Sequence, residues 1–208
     1  MAGILVSGTN GVIINAAGGQ VTLRNLTLDG LTTGLNGIRI LNAGAVFVEN
    51  CQIFGFNRGI SDERTTGELS VSNSIIKNNA QTNAYIANGS SVTALFDTVQ
   101  VKSGGNSGLW FQGGVVIVRN CVISANVDTG ILAENSAEVE VDGGTISQNQ
   151  FGIGTGAGSP TVRVGLANIT MNKIGISISG GAIHSYGNNR TQGNTSGSDT
   201  PTSVLTNQ

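Results

Sequence analysis

Charge is what this sequence has least of. Charged residues make up 11% of the 208 positions, against roughly 25% in an ordinary soluble domain. The formal net charge is −2, so no basic stripe exists to meet phosphates and a nucleic-acid partner is not expected. Proline is almost missing, at 2 residues, and a single His with two Cys offers no zinc-ligand spacing. No apolar run approaches the length of a membrane span, which argues against a membrane partner. The opening MAGILVSG lacks the charged start and apolar core of a signal peptide, so the chain is either cytosolic or has lost a leader. What it has instead is 32 Gly, together with Val and Ile that recur at regular places. That recurrence excludes a disordered composition and favours one continuous body over two small domains.

The recurrence has a period. Residues 46–61 read VFVENCQIFGFNRGIS and residues 116–132 read VIVRNCVISANVDTGIL. Aligned on the Asn, the series runs Asn25, Asn50, Asn73, Thr98, Asn120, Gly143 and Asn168. Six steps over 143 residues give a period just under 24. A second marker, Gly followed by an apolar residue, keeps step at GVII, GIRI, GISD, GLWF, GILA, GIGT and GISI, with AYIA at 84 in the same series. Apolar residues alternate before the Asn, after it, and again after the Gly, which is strand periodicity in three short segments. Runs of Gly, Asn and Ser separate the segments and serve as corners.

Three strands and three corners per lap predict an all-β fold: a right-handed parallel β-helix of about seven to eight coils over residues 1–191, each coil stacked ~4.8 Å above the last. Residues 192–208 are polar and turn-rich, and are expected to be disordered or folded over the last coil. Val48, Val118 and Val141 should share one inward row. The column Asn25, Asn50, Asn73, Asn120 and Asn168 has two physical reasons. Asn tolerates the left-handed backbone of a sharp corner, and stacked amides can bond along the axis as a structural ladder. Thr98 breaks the column, and a β-branched residue would be strained there, so a locally different corner is predicted in that coil.

These residues resemble parallel β-helix repeat proteins of the pectin-lyase-like superfamily. The text LVSGTNGVIINA, GLNGIRIL and SYGNN at residues 5–16, 34–41 and 185–189 is closest to uncharacterised bacterial secreted members. The resemblance implies an extracellular or cell-surface location. It leaves activity open, because the superfamily includes lyases, hydrolases, epimerases, esterases, phage spikes and adhesins. Such proteins usually carry a capping element, so an uncapped coil end is expected to fray or to meet another chain, including a second copy.

Candidate sites follow from this frame. Cys51 and Cys121 fall at one inward position three coils apart, ~14 Å, beyond disulfide reach; they read as buried thiols. Arg24, Glu49, Asp97, Arg119 and Asp142 read as a surface ion-pair ladder. For a lyase or hydrolase the fallback residues are Asp62, Glu63 and Asp128, with Asp62-Glu63-Arg64 in the loop SDERTTGE as the best substitute for a calcium cluster. A charged solvent loop is the plainer meaning of that segment, and no acid pair falls at the separation a glycosidase needs. The more informative surface is apolar: Arg39, Ile86, Trp110 and Leu132 are expected to face outward, the last three on adjacent rungs, where Trp110 could stack on a sugar or bury against a second copy. The favoured function is a non-catalytic extracellular scaffold or binding module, with polysaccharide as the ligand class. No cofactor and no metal is expected, calcium being the exception should the chain be a lyase.

Overall fold

The computed structural model describes residues 2–206, as 21 strands with no helix among them. Every pairing is parallel and joins a strand to its equivalent one lap later. A typical coil consists of Val115–Arg119, Val122–Ser124 and Thr129–Asn135, and these strands belong to what we call the first, second and third sheets. The solenoid makes about nine turns, more than the seven to eight that the sequence markers count. The markers stop early because the last lap has no Val/Ile alternation. It is tied on by its backbone, with Thr195 N donating to Asn172 O, Asp199 N to Ile176 O and Leu205 N to Ser185 O. Residues 192–206 thus lie over the preceding coil.

Alternation places one row of side chains inside at each sheet. Val48, Val71, Phe96, Val118, Val141 and Val164 stand in register and are buried, so Val48, Val118 and Val141 do share an inward row. Ile53, Ile76, Val101, Ile123, Ile146 and Ile169 form the row of the second sheet. Each such side chain contributes roughly 1.5–3 kcal/mol, and the stabilisation is spread along the axis rather than gathered at one centre. Cys51 and Cys121 are buried and free, and burial pushes the Cys121 thiol up to about 11. Outside, Arg24 pairs with Glu49 at 2.6 Å and Arg119 with Asp97 at 2.8 Å, in the expected ladder column.

The corner between the first and second sheets is left-handed in every coil from 25 to 166. Asn25, Asn50, Asn73 and Asn120 have φ of 48 to 57°, and Gly143 has 73°. Two expectations fail here. Thr98 adopts φ 58° like its neighbours, so its coil has no special corner. Its N–H donates to Arg119 O and its hydroxyl to Asp97, and these bonds together with the stacked coils hold a conformation the residue alone would avoid. Asn168 is not in the column either: it begins the next strand and pairs with Thr145, while Leu166 occupies the corner at φ 56°.

The bonded amide ladder exists, but one corner further on. The side chains of Asn25, Asn50, Asn73 and Asn120 are exposed. Between the second and third sheets, Asn126, Asn149 and Asn172 are buried. Asn149 Oδ1 accepts the backbone N–H of Asn126 at 3.0 Å and its Nδ2 at 2.9 Å. Asn172 Oδ1 does the same for Asn149, and Asn194 Oδ1 for Asn172. The residue preceding each ladder position is left-handed whatever its type: Asn78, Ser103, Ala125, Gln148 and Met171.

This ladder explains the Gly marker. A Cβ added at Gly59, Gly108, Gly130 or Gly152 would stand 2.8 to 3.0 Å from a ladder amide nitrogen, closer than packed atoms come. One coil reverses the arrangement. Gly104 takes the ladder position, and Asn83 takes the place of the Gly in the lap before. Asn83 fills the gap, accepting from Asn79 Nδ2 at 2.8 Å and donating to Asn126 Oδ1 at 3.2 Å.

Asn83→Gly should therefore strand the buried Asn79 amide and cost about 2–3 kcal/mol, and Gly104→Asn should crowd Asn83. The double exchange restores one amide per level, so its loss in urea unfolding should be well below the sum of the single losses. Leu166→Asn should stabilise the protein by about 1 kcal/mol, since Asn accepts the left-handed corner that Leu resists; a thermal melt with no upward shift would contradict this.

Candidate functional site

The third sheet carries the outward strip that the sequence singles out. Its inward row contains Ile60, Leu109, Ile131 and Ile153, and two residues further on come Ile40, Asp62, Ile86, Phe111 and Ala133. The residues between these rows face out, in the order Ile13, Arg39, Ser61, Tyr85, Trp110, Leu132, Gly154 and Ser177. Arg39, Trp110 and Leu132 lie on this strip as expected. Ile86 does not: it is fully buried, and Tyr85 holds the outward place. The cause is the exchange described above. With Asn83 at the Gly position, AYIA is one residue out of step with the other Gly-apolar strings.

Tyr85 and Trp110 meet at 5.1 Å between ring centroids with planes tilted by 58°, a favourable aromatic geometry. The Arg58 guanidinium lies 4.2 Å over the Tyr85 ring, as a cation does on a π face. Tyr85 Oη donates to Gln112 Oε1 at 2.8 Å. Gln112 Nε2 and the Trp110 indole N–H both donate to Glu134 Oε2, at 3.0 and 2.8 Å. The other oxygen, Glu134 Oε1, rests over Gly156, where a Cβ would come within 2.6 Å; the glycine makes room for the carboxylate.

Further along the strip Arg39 grips Glu63 with two bonds, Nε to Oε1 at 3.0 Å and Nη2 to Oε2 at 2.8 Å. Ser61 donates to the same carboxylate at 3.2 Å. The hydrogen bonds from Arg39 hold the Glu63 carboxyl below the usual carboxylate range, against partial burial that would raise it. One face thus carries two clusters, Arg39 with Glu63 and Arg58 with Tyr85, Trp110, Gln112 and Glu134, and the Arg58 charge also acts on Glu63. Arg58, Tyr85 and Gln112 escape a reading of the sequence because their roles depend on the corrected register and on side chains crossing between columns.

The fallback acids are not brought together. Asp62 lies inside the solenoid, at 0% exposure, where Arg64 bonds both its oxygens, Nε to Oδ1 at 2.9 Å and Nη2 to Oδ2 at 2.6 Å. Arg64 also donates to Ala43 O and Glu68 O. The segment is therefore neither a charged solvent loop at Asp62 and Arg64 nor an open cation cradle; it is a buried ion pair that pins the corner loop. Such a pair is costly to break because one charge would stay buried alone. Asp128 sits in the corner before the third sheet and accepts from the Thr129 hydroxyl, three rungs or ~14 Å along the axis from Asp62. Among the described residues, no three of the His, Cys, Asp and Glu side chains gather as metal ligands.

Glu63 supplies a test of its cluster. With its native pKa lowered, its contribution to stability is present above the unfolded value of about 4.3 and disappears as pH falls through the native value. Arg39→Ala should move the Glu63 pKa up toward that unfolded value in a carboxyl-carbon NMR titration, and an unchanged midpoint would rule out Arg39 as the cause.

Comparison with known proteins is consistent with the stacked geometry. No curated protein and no solved structure matches the chain. A family model described as a right handed beta helix region matches residues 10–195, which covers the amide ladder, the Gly column and the whole Trp110 strip. The chain belongs to the right-handed β-helix family.

Proposed function

We propose that this protein is a non-catalytic, extracellular binding module that holds a polysaccharide along the outer face of its third sheet. The observation that carries the reading is the Tyr85–Trp110 pair with the Glu134 carboxylate beside it. An aromatic face offers apolar area to a sugar ring, while a carboxylate oxygen accepts from its hydroxyls. The strip runs along the axis from Ile13 to Ser177, with equivalent positions every ~4.8 Å, so it suits an extended chain better than a compact metabolite. The extracellular part of the reading rests on the resemblance to secreted β-helix proteins.

The acids favour binding over bond cleavage. Glu63 is held by Arg39 and Glu134 by Trp110 and Gln112, and the two stand three rungs, ~14 Å, apart. Glycosidase carboxylates work at roughly 5 to 9.5 Å. Buried Asp62 is out of reach of any substrate on the face.

Affinity electrophoresis through gels containing neutral or acidic polysaccharides tests this. At least one polysaccharide should retard the protein, and Trp110→Ala should weaken that retention about tenfold or more, with Glu134→Gln also weakening it. Retention unchanged in both variants, absence of retention in every gel, or release of shortened chains from the polysaccharide would overturn the reading. Sedimentation of the same variants separates glycan binding from self-association through the Trp110 face.

A further inference from the structure

We infer a second ligand site, on the second sheet rather than the third, that takes the carboxylate of an acidic sugar. Near the C-terminal end of the solenoid a cavity of about 490 Å³ opens on the outer face, lined by Thr145, Asn168, Thr170, Arg190, Thr191 and Gln192 with Asn189 at its wall. Thr145, Asn168 and Arg190 stack as one outward column: Thr145 pairs with Asn168 in register, and Asn168 bridges to Arg190 in the next lap. Every lining residue is polar and none is acidic.

Arg190 sets this cavity apart. The protein has seven arginines. Arg24, Arg39, Arg64, Arg119 and Arg163 each face a carboxylate, and Arg58 lies over Tyr85. Arg190 is exposed and has neither kind of partner among the described residues; only its backbone is tied in, N–H to Ala167 O and carbonyl to Ile169 N. Its guanidinium is an always-charged fork that matches a carboxylate with two parallel bonds. A solitary arginine on an open surface would be ordinary; here it sits in a concave site that no side-chain acid neutralises.

The surroundings favour a sugar over a bare ion. The cavity walls are already fixed, Asn189 Nδ2 donating to Val164 O and Ser185 Oγ and Thr170 Oγ1 to Gln192 O. The Asn168 and Gln192 amides and the Thr145 hydroxyl have no partner among the described residues, and they offer both donors and acceptors to ring hydroxyls. The volume is within the range of small-molecule sites. A free phosphate shares the oxyanion chemistry but would leave these groups unused.

The site is independent of the Trp110 strip, and the test keeps the two separate. Isotope-labelled protein would be titrated with glucuronate, glucose and inorganic phosphate while amide and arginine side-chain signals are followed by NMR. Glucuronate should shift Asn168, Arg190 and Gln192 and bind at least tenfold more tightly than glucose or phosphate. Arg190→Gln, which removes an exposed side chain and should leave the circular dichroism and melting curve unchanged, should lose that margin, and Arg190→Lys should recover it only in part. Trp110→Ala should bind glucuronate like the parent. Phosphate binding as tightly as glucuronate, glucuronate affinity unchanged in Arg190→Gln, shifts confined to the third sheet, or no shifts at all would each overturn the proposal.

Discussion

One interaction organises the solenoid: the bifurcated bond in which an asparagine carbonyl accepts both the backbone and the side-chain N–H of the asparagine one lap before. It repeats from Asn126 to Asn194. The bond satisfies a backbone group at a corner, where the sheet ladder cannot reach it and burial would make it expensive. It also fixes the relative height and rotation of successive coils, because a short amide has little freedom once both ends are engaged. Residues as unsuited to positive φ as Gln148 and Met171 occupy the neighbouring corner position. The strain there is borne by an amide system held from above and below.

Much else follows from that column. The glycine series exists because the amides fill the space where a Cβ would stand. Where Gly104 leaves a vacancy in the ladder, Asn83 supplies the amide from the next column, and the total at that level is preserved. The same exchange shapes the candidate face. With Asn83 in the Gly position the third strand of that coil starts one residue earlier than AYIA suggests, and this brings Tyr85 outside, next to Trp110, and sends Ile86 inside. A structural repair in the core therefore decides which side chain meets the solvent.

Charge is handled with similar economy of placement. In a chain with few ionisable groups, Asp62 and Arg64 are spent inside a corner loop, whereas Arg39 and Glu63 lie on the face and remain half-exposed. Adjacent acids in sequence thus have unrelated roles, because successive strand residues point to opposite sides of the sheet. Ion pairs on the outside contribute little to stability; their effect on the third sheet is to hold polar groups in a fixed array. Among the described residues Arg190 is the one arginine with neither a carboxylate nor an aromatic ring as partner.

The period of just under 24, the threefold division of each lap, the parallel stacking and the inward rows were all legible in the chain, since burial imposes a repeating alternation that any coil must obey. The left-handed first corner was legible from Asn25, Asn50, Asn73 and Asn120. The ladder itself is not legible there, although Asn126, Asn149 and Asn172 recur at the same interval, because a buried amide and an exposed one look alike until the direction of the side chain is known. Leu166 at the corner before Asn168, the ordinary corner at Thr98 and Tyr85 in the outward place of Ile86 are set by neighbouring laps, through stacked backbone bonds and the Asn83 exchange. Sequence by itself determined the winding, because it needs only a pattern of apolar and polar residues. Tertiary structure decided the face, because register at each coil depends on amides and glycines from neighbouring laps that a single repeat does not contain.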